Sequence, residues 1–330
     1  MTHFISFGGP HPAYYKALNR LLHEALDLNI FTSVKGFTDK DLKEDTTFWK
    51  QHGKFLENNK RGYGFWLWKP YIVMKTLETM KENEVLFYAD AGCKFDKKHP
   101  IKILQDKVDL VRRTKKIVGG FTCPELYWSK MDLIKYLKME NHPKLRGCQY
   151  IGGAFMLIKT PQIVDFIKEW WRIATIDNYH FIDNSPSKVK NHRGFKEHRH
   201  DQSIFSLLVK KHDLFNTVSI RGRGGIFDTT RFRNGPNIGG SPNFSKKLIP
   251  YLVGNKLQIN CRYNALFGDV AVRQKKKLTI IYKDTQDKTT TKEFPENTKI
   301  LLSNVKQLIN VKYEPIQSNG PNTLKCLINI

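Results

Sequence analysis

Four stretches of this chain combine residue types and spacings that chemistry can use. In Glu84-Val85-Leu86-Phe87-Tyr88-Ala89-Asp90-Ala91-Gly92, an apolar run stops on an acid and a glycine. Ligands of open α/β sheets sit at the carboxyl ends of strands, so an aspartate delivered there can meet one. Gly92 would let backbone come close to it. The plainer alternative is that Asp90 caps a turn. In Arg61-Gly62-Tyr63-Gly64-Phe65-Trp66-Leu67-Trp68-Lys69-Pro70, flat aromatic faces suited to bases and sugar rings stand beside cations suited to phosphates. A tryptophan-rich core helix is the alternative, and the alternation of Trp66 and Trp68 predicts one buried and one exposed ring. In Glu197-His198-Arg199-His200-Asp201-Gln202-Ser203, two histidines precede an acid at the start of an apolar helix. The partial positive charge of a helix N-terminus favours such an acid, which can equally be a simple N-cap. In Gln149-Tyr150-Ile151-Gly152-Gly153-Ala154, a Gly-Gly step before a strand permits close approach by a substrate.

The elements that must carry these residues follow from periodicity. His3–Phe7 reads as a strand ending at Gly8-Gly9-Pro10, Ala13–Leu28 as a helix with apolar residues at helical spacing, and Asn29–Val34 as a second strand. That order implies a βαβ unit and a parallel sheet. Helices are predicted over Thr46–Asn58, Tyr71–Met80, Ile101–Arg113, Ser129–Lys138, Pro161–Ile176 and Asp201–Lys211. Strands are predicted over Val85–Ala89, Ile117–Phe121 and Ala154–Ile158. Residues 178–200 and Arg221–Asn243 are polar, basic and turn-rich, the texture of functional loops. From about Leu278 the texture changes to short strands, Leu278–Tyr282, Ile300–Leu302 and Val305–Tyr313. The expected organisation is therefore an α/β domain over residues 1–270 and a β-rich extension over 271–330.

Composition narrows the classes. A 40% hydrophobic, 12% aromatic chain of 330 residues can bury a core, which excludes wholesale disorder. No apolar run approaches the roughly 20 residues of a membrane span. The first residues lack a basic region followed by an apolar stretch, so a cytoplasmic chain is expected. Its five scattered cysteines contain no CxxC pair, which argues against a disulfide framework or a zinc ribbon. The formal net charge of +24 attracts polyanions or phosphate-bearing small molecules.

Taken in order, Ile5–Gly8, Arg61–Pro70, Tyr88–Gly92, Gly152–Ala154 and His200–Ser203 resemble the GT-A glycosyltransferase superfamily. They are most like its polysaccharide-biosynthesis members from bacteria and large DNA viruses. The resemblance covers roughly the first two thirds of the chain, and RGYGFWLWKP with YADAG is its most specific part. It implies a Rossmann-like, mostly parallel sheet flanked by helices, and transfer of a hexose or pentose from a nucleotide-diphosphate sugar to a hydroxyl of a glycan or glycoconjugate. Ser6, Phe7 and Gly8 would lie against the nucleotide, with Arg61, Trp68, Lys69, Asp90 and Gly92 completing the donor site. Asp90 would hold the first acidic position of the DxD motif. Asp201 would lie near the acceptor, as base if the reaction inverts, with Gly152, Gly153, His200 and Gln202 around the sugar or acceptor.

Gly92 stands where the motif's second acid belongs. Two ways of stabilising the leaving diphosphate therefore stay open. One is a clamp of basic side chains, Arg221 and Arg223 with Lys188, Lys190, Arg193, Lys196, Arg199, Arg231 and Arg233. The other is Mn²⁺ or Mg²⁺ held by Asp90 and a histidine, His198 or His200. The competing classes are a nucleic-acid-binding protein, suggested by the charge but lacking a helix-turn-helix, zinc or RRM signature, and an inactive carbohydrate-binding relative.

Overall fold

The computed structural model describes residues 1–95, 100–219, 227–228, 248, 251–259, 263, 276–296 and 298–315. In chain order its first half contains β1 (Thr2–Phe7), α1 (Pro12–Asp27), β2 (Ser33–Phe37), α2 (Asp39–Glu44), α3 (Thr46–Asn58), α4 (Gly62–Phe65), α5 (Trp68–Thr79), β3 (Val85–Ala89), β4 (Lys94–Phe95) and α6 (Pro100–Thr114). There follow β5 (Ile117–Pro124), α7 (Met131–Tyr136), β6 (Cys148–Ile158), α8 (Pro161–Thr175), α9 (His200–Lys211), β7 (Phe215–Ser219) and β8 (Phe227–Asp228). The last strands are β9 (Leu252–Val253), β10 (Lys256–Ile259), β11 (Lys276–Asp284), β12 (Thr289–Pro295), β13 (Ile300–Leu302) and β14 (Val305–Pro315).

The main sheet has the order β2-β1-β3-β6-β5-β7. β1 runs parallel to β2 and β3, and β5 parallel to β7, while β6 lies antiparallel between β3 and β5. The fold is thus the expected mixed α/β type with a mainly parallel sheet. The C-terminal part is antiparallel, with sheets β13-β10-β9 and β12-β11-β14. Its strands reach back to Leu252, since β10 pairs with β13 across the boundary expected at residue 271.

Side chains alternate across the main sheet, and the two faces have different partners. Phe4, Val85, Phe87, Met156 and Ile158 pack with Leu18, Leu21 and Leu22 of α1 and Leu104, Val108 and Val111 of α6. Ile5, Phe7, Leu86, Tyr88, Phe155 and Leu157 pack with α5, α8 and α9 through Ile72, Val73, Phe166, Trp170, Phe205 and Leu208. On this second face Tyr88 is the last β3 side chain before Asp90, so the two point the same way.

Element edges differ from the sequence expectation for local reasons. β2 begins at Ser33 rather than Asn29 because Asn29 takes a left-handed conformation, φ 53°, after α1. α5 begins at Trp68, which puts Pro70 in the first turn, where no N–H is required of it. β6 extends back through Gly152 and Gly153 to Cys148. β7 and β12 were not expected: β7 follows closely on a helix end, and Thr289-Thr290-Thr291-Lys292-Glu293 carries no apolar alternation. Among the described residues, no helix is long and apolar enough to cross a membrane.

Candidate functional site

At the carboxyl edge of the second sheet face three charged side chains meet. Lys69, from the first turn of α5, donates to Asp201 Oδ2 at 2.7 Å and lies 3.3 Å from Asp90 Oδ1. Tyr88 Oη donates to the same Asp90 oxygen at 2.6 Å. Lys69 and Asp201 are buried, 3% and 5% exposed in their side chains, whereas Asp90 is 39% exposed. Asp90 is therefore the carboxylate a ligand meets first, and the Lys69–Asp201 pair forms the floor beneath it.

The electrostatics follow from that burial. Desolvation raises the Asp201 pKa to about 6 even though the Lys69 ammonium pulls it down, and the Asp90 charge adds to the rise. Burial also works against the charge on Lys69, but Asp201 and Asp90 outweigh it and hold its pKa above the ordinary lysine value. The Tyr88 phenol is held well above its usual range by burial and by the neighbouring Asp90 charge. The cluster thus holds a cation between two acids, one of which titrates close to neutrality.

The Gly-Gly step of β6 makes this packing possible. A Cβ on Gly153 would stand 2.9 Å from Asp90 Oδ2, and one on Gly152 would stand 3.2 Å from Asp201 Oδ2. Within the protein, the pair of carboxylates is what approaches these glycines. Asp90 N–H donates to Gly153 O at 2.8 Å, continuing the β3–β6 ladder one residue past the strand. Gly152 N–H donates to Gln202 Oε1 at 3.1 Å, and Trp170 Nε1 donates to the Asp201 carbonyl at 3.1 Å, which together fix the first turn of α9. Beneath that turn a buried Glu125 accepts from Ser129, Gln149, Ser206 and Lys210, locking α9 to β5 and β6.

The loop after Asp90 is anchored by a residue that the sequence reading missed. Arg20 of α1 is 2% exposed and donates from Nη2 to the carbonyls of Ala91 at 2.9 Å and Cys93 at 2.7 Å, while Glu24 accepts from its Nη1 at 2.9 Å. The signal was an i,i+4 Arg–Glu pair on the same face as Leu21 and Ala17. Gly92, half-buried, sits in this loop.

The aromatic segment adopts an uncommon backbone. Gly62, Tyr63, Gly64, Phe65 and Trp66 have φ of 60°, 50°, 80°, 53° and 60°, one left-handed turn. Each non-glycine residue there costs roughly 1–2 kcal/mol, and strain of this kind gathers at functional sites. The turn packs Trp66 over Gly62 and turns Trp68 inward, where its ring stacks on Phe7 at 3.8 Å and its Nε1 donates to Gly62 O at 3.0 Å. Trp68 and Phe7, both 5% exposed, are therefore core, and Trp66 is the half-buried ring. Arg61 is exposed and pairs with Glu197 at 3.2 Å.

The remaining sequence candidates are placed as follows. Ser6 is fully buried, its hydroxyl without a partner among the described residues. Gly8 packs against α1, where a Cβ would lie 2.5 Å from Tyr14 O. His198 is satisfied by Lys130 N–H and Phe181 O, and burial keeps it neutral. His200, 1% exposed and in a left-handed conformation, stacks on Phe65 at 4.6 Å and donates from Nδ1 to Ile182 O at 2.7 Å. Its Nε2 is buried without a partner among the described residues, and burial pushes its pKa down to about 4. Arg221, Arg223, Arg231 and Arg233 lie outside the described residues.

A second polar cluster sits at the ends of β1 and β2, and the sequence reading did not include it. Asp39, 5% exposed, accepts from Tyr15 Oη and packs against Gly9, while the Tyr63 hydroxyl is buried nearby without a partner among the described residues.

The described residues do not form an all-protein cage for a divalent cation. Asp90 is the one exposed carboxylate of the cluster and already faces the Lys69 ammonium. Both nitrogens of His198 are engaged, and Nδ1 of His200 is engaged too. Among the described residues no three His, Cys, Asp or Glu side chains group as metal ligands.

No protein-family model and no curated protein matches the chain. Among solved structures it is similar to apo mouse xyloside xylosyltransferase 1, with a TM-score of 0.37 and 15% identity over 66% of this chain and 85% of that one. A likeness at this level carries no argument about chemistry.

Proposed function

We propose that this chain is a glycosyltransferase that moves a sugar from a nucleotide-diphosphate donor to an acceptor hydroxyl. The observation that carries the reading is the Asp90–Lys69–Asp201 cluster at the carboxyl edge of a mainly parallel sheet. The architecture is consistent with the GT-A-like fold that the sequence resemblance implies.

In this reading the nucleoside lies at the ends of β1 and β2, where Asp39 and Tyr63 offer an acceptor and a donor, and the sugar reaches Asp90. Asp201 serves as base for an inverting transfer. With a pKa of about 6 it is ionised at neutral pH yet basic enough to take the acceptor's proton as the hydroxyl attacks the anomeric carbon. The anomeric C–O bond breaks, the diphosphate leaves with its electron pair, and its charge is neutralised by basic side chains of the expected clamp other than Lys196 and Arg199. Because Lys69 already occupies the inner side of Asp90, transfer proceeds without a protein-bound divalent metal. Gln202, half-buried in the first turn of α9, borders the acceptor, with His200 packed beneath it.

Calorimetry distinguishes this from nucleic-acid binding. A nucleoside diphosphate is expected to bind with an affinity that changes only a few-fold between 50 and 200 mM salt. Oligonucleotide binding that falls by about 10³ over that range, with no nucleotide response, would favour the other class.

A further inference from the structure

Beside the first turn of α9 lies a strip of aromatic rings covered by cations. Lys196 N–H donates to Tyr127 O at 2.9 Å and Arg199 N–H to Trp128 O at 3.0 Å, so the two segments run together as a short ribbon. The Arg199 guanidinium stacks over the Trp128 ring at 3.8 Å. Lys196 Nζ stands 5.7 Å from the Trp128 centroid and 5.9 Å from that of Tyr127. Gly194 presses on Tyr127 so closely that a Cβ would lie 2.3 Å from its ring.

The two cations of this strip stack on rings instead of pairing with acids. The buried lysines Lys69, Lys130 and Lys210 each hold a carboxylate within 3.2 Å. Lys196 and Arg199 have no carboxylate within 4.0 Å among the described residues, and Glu197, between them in sequence, is paired with Arg61. Stacking fixes the plane of a guanidinium and leaves its edge, with the fork of N–H donors, open to a carboxylate or phosphate. Beneath the guanidinium, Trp128 Nε1 is buried and without a partner among the described residues. The strip ends two residues before Asp201.

We infer that this strip is an acceptor subsite for an acidic glycan, whose anionic groups are held by Lys196 and Arg199 beside the start of α9. The inference rests on the proposed transferase reading and specifies its acceptor as charged. A polyanion would be drawn here by the unpaired cations, and the Asp90 and Asp201 charges would keep its anionic groups from entering the reaction cleft itself.

The test is calorimetric binding of tetragalacturonate, maltotetraose, an oligothymidylate and a nucleoside diphosphate to the full chain and to the Lys196→Ala/Arg199→Ala variant. Wild type is expected to bind tetragalacturonate at least tenfold more tightly than maltotetraose, and the variant to lose that advantage while its nucleoside-diphosphate affinity changes less than twofold. Arg199→Lys, which keeps the charge but not the fork, should fall between. Equal binding of charged and neutral saccharides, or no loss in the double variant, overturns the inference. So does a parallel loss of nucleoside-diphosphate affinity, which assigns the cations to the donor's diphosphate, or tighter binding of the oligothymidylate, which assigns them to nucleic acid. Loss of nucleotide binding by the wild type, with saccharide discrimination intact, would instead count against the transferase reading alone.

Discussion

Asp201→Asn is expected to lower the transfer rate at least about 100-fold, the lower end of what a positioned base contributes, while donor affinity changes less than threefold. Asparagine keeps the size of the side chain and an oxygen for Lys69 Nζ, now 2.7 Å from Oδ2, so the floor of the site remains packed. What disappears is the group that accepts the proton. The pH dependence makes the assignment specific. Asp201 has its pKa raised to about 6, so the wild-type rate should climb as pH rises through about 6 and the base deprotonates. Lys69 links this carboxylate to Asp90, which Tyr88 bonds in turn, so the climb reports the cluster rather than an isolated acid. The variant should lose that limb along with its rate. A variant with unchanged turnover would remove Asp201 from the chemistry.

Lys69→Met is expected to have the largest effect on stability. The ammonium is the counter-ion for a buried carboxylate, and removing one partner of a buried pair costs about 3–5 kcal/mol. In a domain of this size that is a fall in Tm on the order of 10 °C. The loss should depend on pH in a defined direction. The Asp201 pKa already lies above its unfolded value near 3.8, and without Lys69 burial pushes it higher. A carboxyl with a raised folded pKa contributes stability below the unfolded value and loses it as pH rises through the folded one. The variant should therefore be closest to wild type near pH 4 and fall progressively behind toward pH 8. Adding Asp201→Asn removes the uncompensated charge, so the double variant should melt above Lys69→Met at pH 8. Thermal melts of the four proteins at several pH values check both points, and a pH-independent deficit would contradict the electrostatic account.

The sequence made the frame of this site legible where local pattern and tertiary structure agree. The apolar run Val85–Ala89 ends on Asp90 as a strand within the sheet, and α3 spans Thr46–Asn58 as its periodicity predicts. Asp201 lies in the first turn of an apolar helix because burial of α9 and the dipole at its start both favour that placement. Other features depend on contacts distant in sequence and leave little local trace. The left-handed turn at residues 62–66 is marked only by Gly62 and Gly64, and its stacking of Trp68 on Phe7 joins positions 61 residues apart in number. Arg20 reads as one charge on an amphipathic helix until the Asp90 loop is placed over it. The two histidines read as candidate ligands, yet both turn inward to backbone carbonyls, at Phe181 and Ile182.

The central claim is that the Asp90–Lys69–Asp201 cluster works on a nucleotide-diphosphate sugar. Its most direct test is to incubate the protein with a panel of nucleotide sugars, each with EDTA and with Mn²⁺, and to measure release of the nucleoside diphosphate. Slow hydrolysis of one donor class is predicted, similar in EDTA and Mn²⁺ and abolished by Asp201→Asn. Release from no donor under either condition, by protein that is folded, would contradict the account, and release confined to Mn²⁺ would overturn its assignment of Lys69 as the site's built-in cation.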